Sequence, residues 1–348
     1  MKFNRLFQLL LALILVINVS CSDDEYVMPS RGDYENGYFI ANEGKFGTPT
    51  ASVSFISKDL SVLENDIYKK NNNENLGDVL QTITFSDDRA FLLLNNSNKV
   101  QVVNRYNFKK TGEITAQLDN PRYMTISNGN LYVSNDKYNG AKYVNVYKLS
   151  DLSFVKKIPF ASTSTAERVV EAGGTVFVQN ATYSYGSTLT RINTSTNEII
   201  NTVAVPNGEI EKTISYNNNV YVIASGSSNS YIYEISPAGT ITKTTTLTGI
   251  ANARNLEIDG GKYYFTSANK IYTMDMNATT APSAPLINNF VDGGQYFTLY
   301  GFSVKDGKIF AADVKGFTAP SEVTVYNTSG TVLKKFVTGI GSNAAYMN

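Results

Sequence analysis

The chain has 348 residues, of which 42% are apolar, and 30 basic against 30 acidic side chains give it a formal net charge of zero. This length is ample for a sizeable core, whereas the neutral balance argues against a nucleic-acid partner, which requires a basic face. The sequence contains no histidine, which excludes Ser-His-Asp and Cys-His nucleophiles and His-ligated metal or haem. Its single cysteine excludes an internal disulfide and a multi-thiolate zinc site. We therefore predict no cofactor and no metal, although catalysis through carboxylates, lysine or tyrosine stays open.

Residues 1–20 have the pattern of a signal peptide, in which two basic residues precede an apolar run over residues 9–17. As a helix this run would rise only about 14 Å, far less than the roughly 30 Å hydrocarbon core of a bilayer. Small residues then lead to Cys21, in a pattern that resembles a bacterial lipobox apart from Asn18, where Leu is usual. The resemblance implies lipidation of Cys21 and hence an outer-membrane lipoprotein. The alternative is a free cysteine in a hydrophobic leader.

The residues after Cys21 form a short acidic patch, Ser22, Asp23, Asp24 and Glu25. The patch resembles the surface-export signal of lipoproteins in the Bacteroidetes lineage, which implies a position facing the cell exterior. The alternative is a solvated acidic linker. Residues 21–36 lack apolar periodicity and are predicted to form, with the lipidated cysteine, a flexible tether. The folded domain is then predicted to cover residues 37–348.

One short pattern recurs along the predicted domain: a tight turn, then a strand with a central aromatic residue. The central aromatics are Phe39, Phe91, Tyr132, Phe177, Tyr221, Tyr264 and Phe310. The steps between them are 52, 41, 45, 44, 43 and 46 residues. Asn-Gly, Gly-Gly and Asp-Gly turns between β-rich runs are strong hairpin signals, and a period of about 44 residues is typical of a propeller blade. We therefore predict an all-β, seven-bladed β-propeller with four-stranded antiparallel blades.

The two ends of the predicted domain complement each other. The domain begins with a strand of the second type, residues 38–40, and ends with residues 341–347, which resemble the first-type strand at residues 120–124. We predict that the C-terminal strand becomes the inner strand of the blade formed by residues 37–68, so that the ring closes and its edges are protected. The long first step is assigned to an insertion at residues 69–75, and no capped amphipathic helix is predicted.

Two sets of residues are predicted to surround the channel of such a propeller on one face. The first set lies on loops between second and third strands, which are rich in Asn, Ser, Gly and Tyr as binding loops are. Its members, with Tyr296 from the long loop at residues 290–300, are Asn42, Glu43, Tyr138, Tyr183, Tyr185, Tyr296, Lys315 and Phe317. The alternative is that Asn, Ser and Gly simply form turns there.

The second set lies at the beginning of the first strands, nine or ten residues before the central aromatics. Its predicted ligand-binding members are Arg122, Arg168, Lys212, Arg254 and Tyr300, accompanied by Glu167 and Glu211. They are expected to form a polar collar for an anionic or amide-bearing ligand. The alternative is that the arginines and glutamates pair with each other. Neither a calcium loop of alternating aspartates nor a phosphate-binding glycine loop before a helix occurs in the sequence.

Two segments resemble YncE-like surface propellers. Asn42-Glu43-Gly44 followed by residues 52–55 is similar to their opening, and residues 301–323 are similar to their closing segment. One branch of this family, the BtuG-type lipoprotein, captures cobalamin at the cell surface and passes it to a TonB-dependent transporter. The resemblance implies a non-enzymatic surface lipoprotein that captures a corrinoid-like nutrient. The alternatives are a glycan-binding or protein-interaction propeller and, less favoured, a propeller lactonase or lyase.

Overall fold

Seven antiparallel sheets in a ring contain nearly all the regular structure in residues 30–161, 163–183, 185–292 and 298–348, the part of the chain that the computed structural model describes. The predicted seven-bladed propeller is thereby confirmed. The described core clusters all lie within residues 32–348, which form one unit by their internal contacts. The predicted signal peptide, Cys21 and residues 22–25 lie outside the described residues, as does Tyr296.

Each blade is counted from the channel outward. Blade 1 contains β27 (Ser342–Met347), β1 (Gly37–Asn42), β2 (Ser52–Ser57) and β3 (Leu63–Glu64). Blades 2 and 3 contain β4 (Leu80–Ser86), β5 (Arg89–Leu94), β6 (Lys99–Asn104), β7 (Lys110–Ile114), β8 (Pro121–Ser127), β9 (Asn130–Asp136), β10 (Lys142–Lys148) and β11 (Phe154–Pro159). Blades 4 and 5 contain β12 (Val169–Ala172), β13 (Thr175–Gln179), β14 (Thr188–Asn193), β15 (Glu198–Ala204), β16 (Glu209–Tyr216), β17 (Asn219–Ser225), β18 (Ser230–Ile235) and β19 (Ile241–Leu247). Blades 6 and 7 contain β20 (Arg254–Asp259), β21 (Lys262–Ser267), β22 (Lys270–Asp275), β23 (Gly301–Lys305), β24 (Lys308–Asp313), β25 (Pro320–Asn327) and β26 (Val332–Ile340).

The inner strands form the wall of the channel. Around the ring, β4, β8, β12, β16, β20, β23 and β27 each contact the next, and β27 returns to β4. The last step is closed by the C-terminal strand, since β27 pairs antiparallel with β1, placing Phe39 opposite Tyr346 and Ile40 opposite Ala345. The predicted pairing of the two chain ends is therefore confirmed. The contact of β27 with β23 is close enough that a Cβ at Gly301 would lie 2.2 Å from the Ser342 carbonyl oxygen.

The core lies between neighbouring blades, which explains why the aromatic strands are apolar on both faces. All seven predicted central aromatics are buried. Phe39 of blade 1 packs against Phe108, which follows β6 of blade 2, with ring centroids 5.0 Å apart. On its other side, blade 1 meets blade 7 through Tyr38 and Phe310, 4.8 Å apart. Each fully buried large apolar side chain stabilises the fold by about 1.5–3 kcal/mol relative to its exposed state.

Two features differ from the sequence-based expectation. Blade 6 has three strands among the described residues. Beyond β22, an isolated bridge joins Ile287 to Ile271, and Leu286 N donates to Ile271 O at 2.8 Å. Pro282 and Pro285 lie just before this bridge, and prolines cannot donate to a strand ladder. The second difference is a short helix, α1 (Ile67–Asn72), which includes the first part of the insertion expected at residues 69–75.

The helix α1 has no side-chain cap at its N-terminus, where Asp66 has φ 51° and makes no capping hydrogen bond. Tertiary contacts stabilise this helix instead. Ile67 and Tyr68 are fully buried, and the Asn72 amide donates to Phe108 O at 2.9 Å. Among the described residues, no helix has the length and apolar character needed to cross a bilayer.

Candidate ligand-binding cavity

The structure contains two adjoining cavities along the propeller axis. The channel cavity, about 790 Å³, is lined mainly by the inner strands. The mouth cavity, about 1070 Å³, is lined by loops between second and third strands and by the connections between blades. Four residues line both and define the neck between the cavities: Glu43, Gln81, Arg122 and Tyr300. Both volumes are large enough for a bulky small molecule, since ligand pockets are typically about 300–1,000 Å³.

The mouth cavity has an aromatic rim. Tyr138 and Tyr183 are 87% and 85% exposed, and Phe46 is 75% exposed. All three belong to loops between second and third strands and line the mouth cavity. Tyr185, 79% exposed, follows on the same loop as Tyr183 but is not part of the lining. Large aromatic side chains left in water around a cavity are typical of a binding surface rather than of turn formation.

The neck is organised around a buried carboxyl group. Tyr300 Oη donates to Glu43 Oε1 at 2.7 Å, and Asn343 Nδ2 donates to the same oxygen at 3.0 Å. Burial raises the pKa of Glu43, and these two hydrogen bonds and the charge of Arg122 only partly oppose it. Phe317 packs edge-on against Tyr300, with ring centroids 5.1 Å apart, and extends this cluster into the mouth cavity.

The raised pKa of Glu43 predicts a pH-dependent stability. A carboxyl whose folded-state pKa lies above its unfolded value of 4.5 favours folding below that value, and this contribution is lost as pH rises through the folded-state pKa. Glu43→Gln is neutral at every pH and keeps an acceptor for Tyr300. We expect its melting temperature to match the wild type at pH 4 and to exceed it increasingly towards pH 8. Thermal unfolding across this range tests the prediction, with the exposed Glu322→Gln as control. A difference that does not vary with pH would contradict it.

The collar arginine at the neck is paired, as the alternative interpretation of the sequence expected. Arg122 donates through Nε and Nη2 to the two carboxylate oxygens of Glu167, both at 2.9 Å. This two-point geometry fixes the guanidinium plane and makes a strong ion pair. Arg122 therefore shapes the neck, and its charge is already balanced.

Below the neck, the channel floor consists of Arg168, Lys212, Glu257 and Lys305, which line the channel cavity. Lys212 Nζ lies 2.7 Å from Glu257 Oε1, and Lys305 Nζ lies 2.7 Å from Glu257 Oε2. Burial would raise the pKa of Glu257, but the two lysines lower it to about 2. Burial, aided by Arg168 and Lys305 and opposed by Glu257, lowers the pKa of Lys212 to about 8. Arg168 lies over the ring of Tyr123, 4.2 Å from its centroid.

The remaining predicted site residues do not all line the two cavities. Asn42 is fully buried, and its amide joins strands by donating to Ser54 Oγ at 3.0 Å and accepting from Ser342 Oγ at 2.7 Å. Lys315 follows β24 and pairs with Asp313, the last residue of that strand. Lys315 does not line either cavity. Arg254 is exposed in the channel cavity. The structure thus brings together Glu43, Arg122, Tyr138, Arg168, Tyr183, Lys212, Arg254, Tyr300 and Phe317.

Sequence reasoning missed several lining residues: Phe46, Tyr123, Glu257, Lys305 and Tyr346. Tyr123 and Tyr346 occupy matching places in two inner strands, β8 and β27, whose sequence similarity predicts ring closure but not a shared position on the cavity wall. Glu257 and Lys305 had a weaker signal, as charged residues that adjoin apolar residues in the inner strands β20 and β23. Within the described residues, no three His, Cys, Asp or Glu side chains cluster so as to hold a metal ion.

The comparisons with known proteins identify the family. A family described as "Domain of unknown function (DUF5074)" matches residues 36–340. The chain belongs to this family. No curated protein matches this DUF5074 chain.

Solved structures similar to this DUF5074 chain show the same fold at low identity. A quinonprotein alcohol dehydrogenase-like protein from Bacteroides thetaiotaomicron is 15% identical with a TM-score of 0.69, over 91% of this chain and 79% of that one. A functionally unknown protein from Desulfotomaculum acetoxidans is 12% identical with a TM-score of 0.66, over 90% of this chain and 98% of that one. Apo AztD from Citrobacter koseri is 13% identical with a TM-score of 0.59, over 89% of this chain and 97% of that one. These likenesses show the fold alone.

Proposed function

We propose that this DUF5074 protein is a non-enzymatic surface lipoprotein that captures a bulky small-molecule nutrient, in the first instance a corrinoid, and passes it to a TonB-dependent outer-membrane transporter. The observation that carries the proposal is the mouth cavity of about 1070 Å³, with its exposed rim of Phe46, Tyr138 and Tyr183. The surface address rests on the predicted lipidation of Cys21 and on the acidic residues that follow it. The corrinoid class follows from the resemblance to BtuG-type propellers.

The chemistry of the cavity supports a ligand of this kind. A corrinoid is a wide macrocycle with many amide groups, so it needs both large apolar contacts and scattered polar partners. The aromatic rim offers large contact area at low conformational cost. The neck adds polar groups at the base of the cavity through Gln81, Arg122 and Tyr300. A wide mouth above a polar neck can therefore hold a flat ring while bonding to its substituents.

A glycan ligand is the second candidate, because the exposed rings of Tyr138, Tyr183 and Tyr185 offer flat apolar faces on which sugar rings can stack. Sugars have few charges, so this candidate makes little use of the charged channel floor. The two candidates differ in a simple observable, since corrinoids absorb visible light and glycans do not.

Gel filtration of residues 26–348 with cyanocobalamin tests the corrinoid proposal. This range retains the whole described core. We expect colour to co-elute with the protein. Phe46→Ala and Tyr138→Ala should each weaken binding about tenfold, corresponding to a loss of about 1.4 kcal/mol of aromatic contact. The matched control is Phe154→Ala, at a side chain 40% exposed on β11 at the outer edge of blade 3. A colourless protein peak would refute the corrinoid assignment, and a glycan array would then test the second candidate.

A further inference from the structure

We propose that the channel floor is an oxyanion-binding site, in which Arg168, Lys212 and Lys305 together take a phosphate-type dianion. This site is separate from the mouth cavity, and the inference does not depend on which nutrient the mouth captures. It adds a second ligand class, bound by side chains and not by the glycine loops that usually hold phosphate.

The side-chain charges of the channel floor do not balance. The floor holds three cations, Arg168, Lys212 and Lys305, and one carboxylate, Glu257, which leaves an excess of two positive charges (three minus one). The excess is the same over the whole described lining of the channel cavity, where Arg122 and Arg254 add two cations and Glu43 and Glu211 add two carboxyl groups. Lys212 and Glu257 are buried, with side chains only 10% exposed. Charges removed from bulk water are costly unless they are paired. One dianion would balance the excess, whereas a single carboxylate ligand would leave one charge uncompensated.

The geometry of Arg168 suits an oxyanion. Its guanidinium lies over Tyr123, 4.2 Å from the ring centroid, so one face of the plane is covered. Among the described residues, no carboxylate pairs with this guanidinium and none accepts a hydrogen bond from it, in contrast to Arg122, which is held by Glu167. A planar guanidinium held by its face presents its N–H donors at its edge, which matches the geometry of a tetrahedral oxyanion.

The three cations lie close together around open space. All of them line the channel cavity of about 790 Å³, which has ample room for a phosphate group. Arg168 and Lys305 both act electrostatically on Lys212 and lower its pKa. This mutual repulsion is what a bound anion would relieve.

The test is thermal unfolding of residues 26–348 with inorganic phosphate, titrated against chloride at constant ionic strength. We expect a saturable rise in melting temperature at millimolar phosphate. The rise should be lost in Arg168→Gln and in Lys305→Gln and kept in Lys335→Gln, whose lysine is 57% exposed and pairs with Glu322 on the outer strands of blade 7. The inference is overturned if folded wild-type protein shows no phosphate-specific rise. It is equally overturned if Arg168→Gln and Lys305→Gln retain the full rise.

Two further arms identify the source of the oxyanion and separate the two proposals. Phosphate titration with and without cyanocobalamin distinguishes two sources of the oxyanion. The phosphodiester of the captured molecule would compete with inorganic phosphate although it carries only one negative charge, whereas a free dianion would bind independently of cyanocobalamin. Both outcomes require the site. If cyanocobalamin does not bind but the phosphate-dependent rise is present and lost in the floor variants, the capture proposal fails and the oxyanion site stands.

Discussion

Glu257→Gln is expected to lower the free energy of unfolding by about 3–5 kcal/mol, because it leaves two lysines in the channel floor without their shared counter-charge. Both Lys212 and Lys305 lie 2.7 Å from the Glu257 carboxylate. Urea-induced unfolding measures the loss. The control is Glu322→Gln, which breaks the exposed pair with Lys335 and should change stability by no more than about 0.5 kcal/mol.

Two further readouts separate lost charge pairing from lost packing. The pKa of Glu257 is lowered from 4.5 to about 2, so its contribution to stability is present above pH 4.5 and is lost as pH falls towards 2. Glu257→Gln should therefore lack the acid-induced loss of stability that comes from protonation of Glu257. Replacing Lys212, Glu257 and Lys305 together by methionine should cost less than Glu257→Gln alone, since no unpaired charge is then left behind. A loss in Glu257→Gln equal to that of the control would contradict the account.

Removing residues 342–348 is expected to abolish cooperative folding of the propeller. These residues supply β27, which pairs with β1 and contacts β23 and β4, so its loss opens the ring and exposes an unpaired strand edge. Circular dichroism and urea unfolding would show a broad transition or an aggregated product. A truncated protein with the wild-type unfolding midpoint would refute the role of the C-terminal strand in ring closure.

A point variant tests the same contact without shortening the chain. Ala345 is buried in the cluster that joins blades 7 and 1, so Ala345→Lys places an unpaired charge there and should cost about 4 kcal/mol. The matched control is Val332→Lys, at a half-exposed position on the outer strand β26. Equal stability of the two variants would contradict the account.

The architecture was predictable because its signals are local and repeated. Each blade carries a tight turn before a buried aromatic strand, as at Asn128-Gly129 before Tyr132, and seven copies fix the blade count. The exceptions arise where tertiary contacts override local pattern. The helix α1 lacks an N-terminal cap, and the outer edge of blade 6 is interrupted by prolines.

The candidate site was only partly predictable. Register places Arg122, Lys212 and Tyr300 at the inner strands, and this part of the prediction followed from the repeat. The ion pairs of the channel floor did not, because Glu257 lies 45 residues from Lys212 and 48 from Lys305 in the sequence. Their distances are set by the radius of the closed ring. Asn42 is predicted from the sequence to lie on a binding loop. In the structure it is instead the last residue of β1, and its side chain is buried among serines.

The most direct test of ligand capture at the mouth uses the absence of tryptophan from the chain. Phe46→Trp places a single tryptophan on the aromatic rim, and Phe154→Trp places one on the outer strand β11 as the matched control. Cyanocobalamin absorbs in the near ultraviolet and visible range, so a ligand bound in the mouth cavity should quench the rim tryptophan saturably. Capture at the mouth predicts saturable quenching in Phe46→Trp and only the non-saturating inner-filter loss in Phe154→Trp. Equal, non-saturating losses in the two variants would contradict capture at the mouth.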